Sequence, residues 1–181
     1  MLSEMRNHDL TPGSMNPVRV RAIRSGDAPA LERFYAELSP ESRRTRFLFI
    51  SAGLSHAQSA SFCTTDHDHR EGFVAVVDDG QANREGIVGH LCLEPDGEDG
   101  AEVAVAVADA FQHRGIGRRL LAAGAAWAAR RDIARLTATM SADNAPIHRL
   151  LAGLGLPTST RFLGAGVSEV TIDLPARSIA A

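Results

Sequence analysis

Glu102-Val103-Ala104-Val105-Ala106-Val107-Ala108 is followed, after three residues, by Gln112-His113-Arg114-Gly115-Ile116-Gly117. The first run alternates: Val103, Val105 and Val107 share one face, and Glu102, Ala104, Ala106 and Ala108 share the other. That is the period of a strand, with one acid at its start. The second run is a turn, because glycines allow backbone conformations and close approaches that a Cβ would block. Beyond it, Leu120, Leu121, Gly124 and Trp127 recur at helical spacing, which predicts a helix to about Arg131. A helix that starts this way leaves backbone N–H groups pointing outward, and its dipole adds positive potential there. Arg114, Arg118 and Arg119 are expected to bring guanidinium forks to the same end. The turn reads as a pyrophosphate cradle. A P-loop is excluded, since the chain has no lysine to follow the glycines. A dinucleotide fingerprint is excluded as well, since Leu120 stands where its third glycine belongs.

Working outward, residues 18–22 alternate and predict a first strand. Asp27 is expected to cap a helix that carries Leu31, Phe34, Tyr35 and Leu38 on one stripe. Ser39-Pro40 opens a second helix holding Arg43, Arg44 and Arg46, and Ser55 caps a short third one through Phe62. Strands follow over 73–77 and 87–93, joined by a turn that begins at Asp79-Gly80. A strand over 135–140 comes next. Pro146 then opens a helix with Ile147, Leu150, Leu151 and Leu154 and a natural stop at Gly155. A last alternating strand spans 167–174. The order is mixed α/β around one sheet, with a strand–helix–strand crossover over 102–140. Residues 1–16, with Pro12, Gly13 and Asn16 and no periodicity, read as a flexible tail, and 17–181 as a single domain.

Composition bounds the function. A chain of 181 residues can bury a core without staples. Its 19 basic and 22 acidic residues give a net charge of −3, which argues against a general nucleic-acid binder. No apolar run approaches a membrane span, and the N-terminus has no secretory h-region. The two cysteines, Cys63 and Cys92, form no Cys-x-x-Cys pair, so a reduced cytoplasmic setting is expected. Every basic residue is arginine.

Gln112-x-x-Gly115-x-Gly117 resembles the acyl-CoA pyrophosphate signature of the GNAT N-acetyltransferase superfamily, and the likeness extends over about residues 18–174. Asn144, before Ala145 and Pro146, sits where that superfamily places an asparagine near the CoA arm. A closer resemblance is to bacterial protein-lysine acetyltransferases of the Pat type. It rests on Leu38-Ser39-Pro40-Glu41-Ser42-Arg43, on Asp66-His67-Asp68, and on Glu102 followed by Val107-Ala108-Asp109 and the glycine turn. The resemblance implies a GNAT-like, mostly antiparallel mixed sheet flanked by helices, with the central strands splayed apart. It implies acetyl-CoA as co-substrate, with Gln112, His113 (through its amide), Arg114, Gly115, Ile116, Gly117 and Arg118 around the pyrophosphate. It also implies main-chain groups of Val105 and Val107 along the pantetheine arm. Many Pat-type enzymes carry a cyclic-nucleotide domain or a synthetase-like region, and 181 residues are expected to hold neither.

A lysine amine, with an ordinary pKa of ~10.4, must lose a proton before it can attack a thioester. Glu102, the one acid in an apolar strand, is the candidate general base, with partial desolvation expected to raise its pKa. The resemblance implies the same role. An oxyanion donor would come from a main-chain amide near Val105 if the strand splays. No general acid is assigned: the only tyrosine, Tyr35, lies in the first helix, and His148 reads as a helix-surface residue. Cys63, His67, Asp68 and His69 lack zinc-site spacing, so no metal is expected. Three readings remain: a protein-lysine acetyltransferase, a small-amine acetyltransferase with the same fold, and a non-catalytic acyl-CoA-binding module. Acceptor identity, acyl preference and oligomeric state are not legible.

Overall fold

The computed structural model describes residues 17–48, 53–78 and 85–175. Within these residues seven strands form one sheet: β1 (Arg19–Ala22), β2 (Glu71–Asp78), β3 (Glu85–Pro95), β4 (Gly100–Val107), β5 (Arg135–Ser141), β6 (Thr158–Gly164) and β7 (Val167–Asp173). Their order is β1-β2-β3-β4-β5-β7-β6. Every neighbouring pair is antiparallel except β4 and β5, which run parallel. Parallel neighbours need a crossover, and α4 (Ile116–Ala129) supplies it.

Among the described residues, four further helices cover the faces: α1 (Ala28–Glu37), α2 (Pro40–Phe47), α3 (His56–Cys63) and α5 (Ala145–Ala152). The stripe expected on α4 is buried: Leu120, Leu121, Gly124 and Trp127 pack with Leu91, Leu93, Val103 and Leu136 on one face. Leu31, Phe34 and Tyr35 of α1 and Cys63 of α3 pack with Val74, Val76 and Ala106 on the other. Each face of β4 therefore feeds a different core cluster, as its alternation requires. Among the described residues, no helix is long and apolar enough to cross a membrane.

Three local expectations need correction. Asp27 precedes α1 but its carboxylate caps nothing there. Pro29, in the first turn, offers no N–H, and the carboxylate instead takes Arg21 at 2.7 and 2.8 Å and the Arg24 N–H at 2.8 Å. Helix α5 ends at Ala152 rather than at Gly155, which lies beyond the helix at φ 69°. Strand β6 was not foreseen. It is a sheet edge, six of its seven residues are exposed, and so no apolar alternation marks it. The expected tail 1–16 and the turn at Asp79-Gly80 lie outside the described residues.

Candidate active site

Strands β4 and β5 pair only through Gly100–Arg135, Ala101–Leu136 and Glu102–Thr137. Past Glu102 they part, which is the splay the resemblance implied. On its other side β4 stays in unbroken register with β3 to Val107. The Ala108 N–H donates to Val88 O of β3 at 2.9 Å. Period-two alternation then turns the main-chain groups of Val103, Val105 and Val107 toward the open side of the fork. One of these is already used: Gln112 Nε2 donates to Val107 O at 3.2 Å.

Along this open edge runs a cleft of about 1040 Å³. The predicted residues Val105, Val107, Gln112, His113, Gly115, Ile116, Gly117, Arg118 and Asn144 all line it. The loop at its head is tightly turned, with His113 at φ 59° and Gly115 at φ 76°. A Cβ built on Gly115 would meet nothing within 4 Å, so the space over this turn is open. The first turn of α4 leaves N–H groups without partners inside the helix, aimed at that space.

Of the arginines expected here, only Arg118 lines the cleft. Arg114 folds over the Phe111 ring, 5.4 Å from its centre, and Arg119 donates to Val18 O. Their place is taken by Arg44 and Arg46 of α2 and Arg149 of α5. Sequence reading missed these because α2 and α5 are far from the glycine turn along the chain. A side chain on Gly117 would not enter the cleft cleanly. Its Cβ would lie 3.0 Å from Leu150 Cδ2, so this glycine also lets α4 approach α5.

Glu102 stands at the crotch of the fork rather than in the cleft wall, and it is exposed. The desolvation expected for it is therefore not provided by the chain. Its cross-strand neighbour Glu94 is held by Arg70 in a two-point pair at 2.5 and 2.7 Å. A second cavity of about 60 Å³ continues the cleft into the fork, between Val103, Ala104 and Val105 of β4 and Ala138, Thr139 and Met140 of β5. Asn144 borders both cavities, and its Oδ1 caps α5 by accepting the Ile147 N–H at 3.3 Å.

Behind the fork lies a buried polar group. The Tyr35 hydroxyl shares a hydrogen bond of 2.9 Å with His90 Nδ1, and burial pushes the phenol's pKa up. Burial, reinforced by the Arg46 charge, lowers the His90 pKa to about 3, so the imidazole is neutral. Arg46 donates to Cys92 Sγ at 3.3 Å, and burial pushes the thiol up despite that cation. Cys63 is also a free, buried thiol. Loop 64–70 is a structural turn: Asp66 Oδ1 accepts the N–H groups of Asp68, His69 and Arg70, and His67 Nδ1 lies 2.9 Å from Glu71. Among the described residues, no three metal-ligand side chains gather.

The sequence model of the Acetyltransferase (GNAT) family matches residues 31–156, and the chain belongs to that family. The GNAT domain of Streptomyces lividans PAT superposes with a TM-score of 0.76 at 30% identity, covering 87% of this chain and 90% of that one. The structure of yncA from Salmonella typhimurium with its cofactor acetyl-CoA gives 0.68 at 19% identity, covering 92% and 98%. A phosphinothricin acetyltransferase from Sinorhizobium meliloti, in complex with acetyl-CoA, gives 0.68 at 14% identity and 91% of each chain. The latter two share the fold. Acetyl-CoA-dependent N-acetylation is thus the reaction class, and the open, N–H-lined turn over Gly115 suits the anionic end of that co-substrate.

Proposed function

We propose that residues 17–181 form one catalytic domain that transfers the acetyl group of acetyl-CoA to a protein lysine ε-amine, with Glu102 as general base. The observation that carries this reading is the fork. It opens one residue past Glu102, and the cradle lies at the far end of the same free edge. A molecule held along that edge has its phosphates at the cradle and its thioester near the carboxylate.

Acetyl-CoA supplies an acyl carbon activated as a thioester. In this reading the amides of His113, Gly115, Ile116 and Gly117 and the Arg118 guanidinium hold the pyrophosphate, with Arg114 at the mouth. The Val105 carbonyl and the Val107 N–H follow the pantetheine arm, and the Asn144 amide group lies alongside. The Gln112 side chain fastens the loop instead of touching phosphate, since it is spent on Val107 O and Ser42 Oγ. Glu102 accepts the proton of the incoming ammonium, directly or through one water, and the freed amine attacks the carbonyl carbon. The Val105 N–H faces the developing oxyanion. The C–S bond breaks, the nitrogen gives its second proton to solvent, and solvent protonates the CoA thiolate, because Tyr35, bonded to His90 in the core, is no acid here.

The protein-lysine acceptor is supported by the 30% identity to the S. lividans PAT domain, together with the two stretches around Ser39 and Asp109. Two free buried thiols suit a reduced, cytoplasmic setting. A panel of lysine-bearing proteins, polyamines and other small amines, assayed for CoA release, tests the acceptor. Release with proteins and at most traces with small amines is expected. The opposite ranking would replace the acceptor, and no release with any amine would leave a binding module.

A further inference from the structure

Helix α2 forms a wall of the cleft along much of its length. Glu41, Ser42, Arg44, Thr45 and Arg46 border the large cavity, and Thr45 and Arg46 reach the small one inside the fork. Helix α2 touches both β4 and β5, bridging the strands where they part. Yet none of its eight residues is buried. Only Phe47, at its C-terminal end, packs against the core, so the rest of the helix gains little from apolar burial and is held largely by polar contacts.

Arg43 Nη1 donates to Ala36 O at 2.9 Å, and toward the C-terminal end Arg46 donates to Cys92 Sγ while the Phe47 ring lies 5.4 Å from the Tyr35 ring. At the N-terminal end of α2 the polar contacts converge on one carboxylate. Asp109 Oδ2 accepts the Ser39 N–H at 2.9 Å, and Oδ1 accepts both the Ser39 and the Ser42 hydroxyls at 2.8 Å. Gln112 Nε2 then donates to Ser42 Oγ at 3.2 Å. Ser39 and Ser42 open α2, while Asp109 and Gln112 flank the short turn (Asp109–Phe111) that leads from β4 into the cradle. Asp109 also places a negative charge at the helix N-terminus, where the dipole favours it.

We infer that Asp109 is a positioning residue: it latches α2 to the cradle loop, and so sets where Arg44 and Arg46 stand over the bound co-substrate and the fork. The inference rests on the reading of the cleft given above. It also explains why the stretch around Ser39 and the stretch around Asp109 occur together in this chain. The latch does not hold the cradle amides. Those depend on the Gln112 N–H to Asp109 O bond and on the Gln112 side chain's bond to Val107 O, neither of which needs the Asp109 carboxylate.

Asp109→Ala tests this, with Asp109→Asn as the conservative variant and Ser42→Ala as the milder one. Hydrogen exchange of amides 43–47 is expected to speed at least tenfold in Asp109→Ala, with the β3 and β4 amides unchanged. Turnover with the best acceptor is expected to fall at least tenfold, and calorimetric affinity for acetyl-CoA to weaken several-fold, as Arg44 and Arg46 lose their place while the cradle amides keep theirs. Asp109→Asn keeps an oxygen for the two hydroxyls and loses the acceptor for the Ser39 N–H, so it should recover part of both effects. If Asp109→Ala does not fold, Ser42→Ala carries the same readouts in smaller measure. Exchange of α2 within threefold of wild type in the folded variants would overturn the latch. The exchange readout needs no acceptor, so failure of the lysine assignment would leave it standing.

Discussion

His90 is a basic side chain sealed inside the sheet, fully buried, with Nε2 unpartnered and Nδ1 facing the Tyr35 hydroxyl. Burial first and the Arg46 charge second hold its pKa at about 3, against 6.5 ordinarily. Between those values the unfolded chain binds a proton that the folded chain refuses. Stability from this site is therefore whole above about pH 6.5 and declines as pH falls toward 3, by up to about 1.4 kcal/mol per pH unit. His90→Gln should flatten the dependence of unfolding free energy on pH between 6 and 4, read by urea titration. An unchanged slope would mean that His90 is not buried neutral. At this scale the sequence was partly legible. Glu102 and the glycine turn announce themselves by contrast with their neighbours. Arg44, Arg46 and Arg149 do not, because an arginine on a polar helix looks the same whether it faces solvent or a cleft.

The central strands and α1 and α4 were legible because each buries a periodic stripe; α2, which buries none, was legible only from its Ser39-Pro40 start, and the edge strand β6, which has neither mark, was missed. The splay of β4 from β5 was legible only through the resemblance. Alternation along β4 continues unbroken past Glu102, so periodicity carries no mark of where the partner strand departs. The approach of α4 to α5 is set by Gly117 against Leu150. Gly117→Glu should abolish acetyl-CoA binding by bringing a negative charge to the phosphate turn. It should also lower the melting temperature by a few degrees, because its Cβ displaces the Leu150 side chain. Calorimetry and thermal unfolding check the two separately. Unchanged affinity in a folded variant would remove the phosphates from this turn.

The whole molecule is a transferase domain without a single lysine. Arginine is no substitute acceptor, since its guanidinium stays protonated. Untagged chain incubated with acetyl-CoA should gain at most one hydroxylamine-resistant acetyl group, on its α-amino nitrogen. Any acetyl-lysine in a mixture then lies on the added protein. The lysine acceptor and the Glu102 base are tested together by the rate of acetyl-lysine formation on a lysine-bearing protein, read by peptide mass spectrometry, for wild type against Glu102→Gln. Acetyl-lysine is expected with wild type, and a rate ~10²–10⁴-fold lower in the variant, at an acetyl-CoA affinity within a few-fold of wild type. Equal rates within about threefold, or acetyl-CoA turnover that leaves no acetyl-lysine on any protein, would contradict this reading.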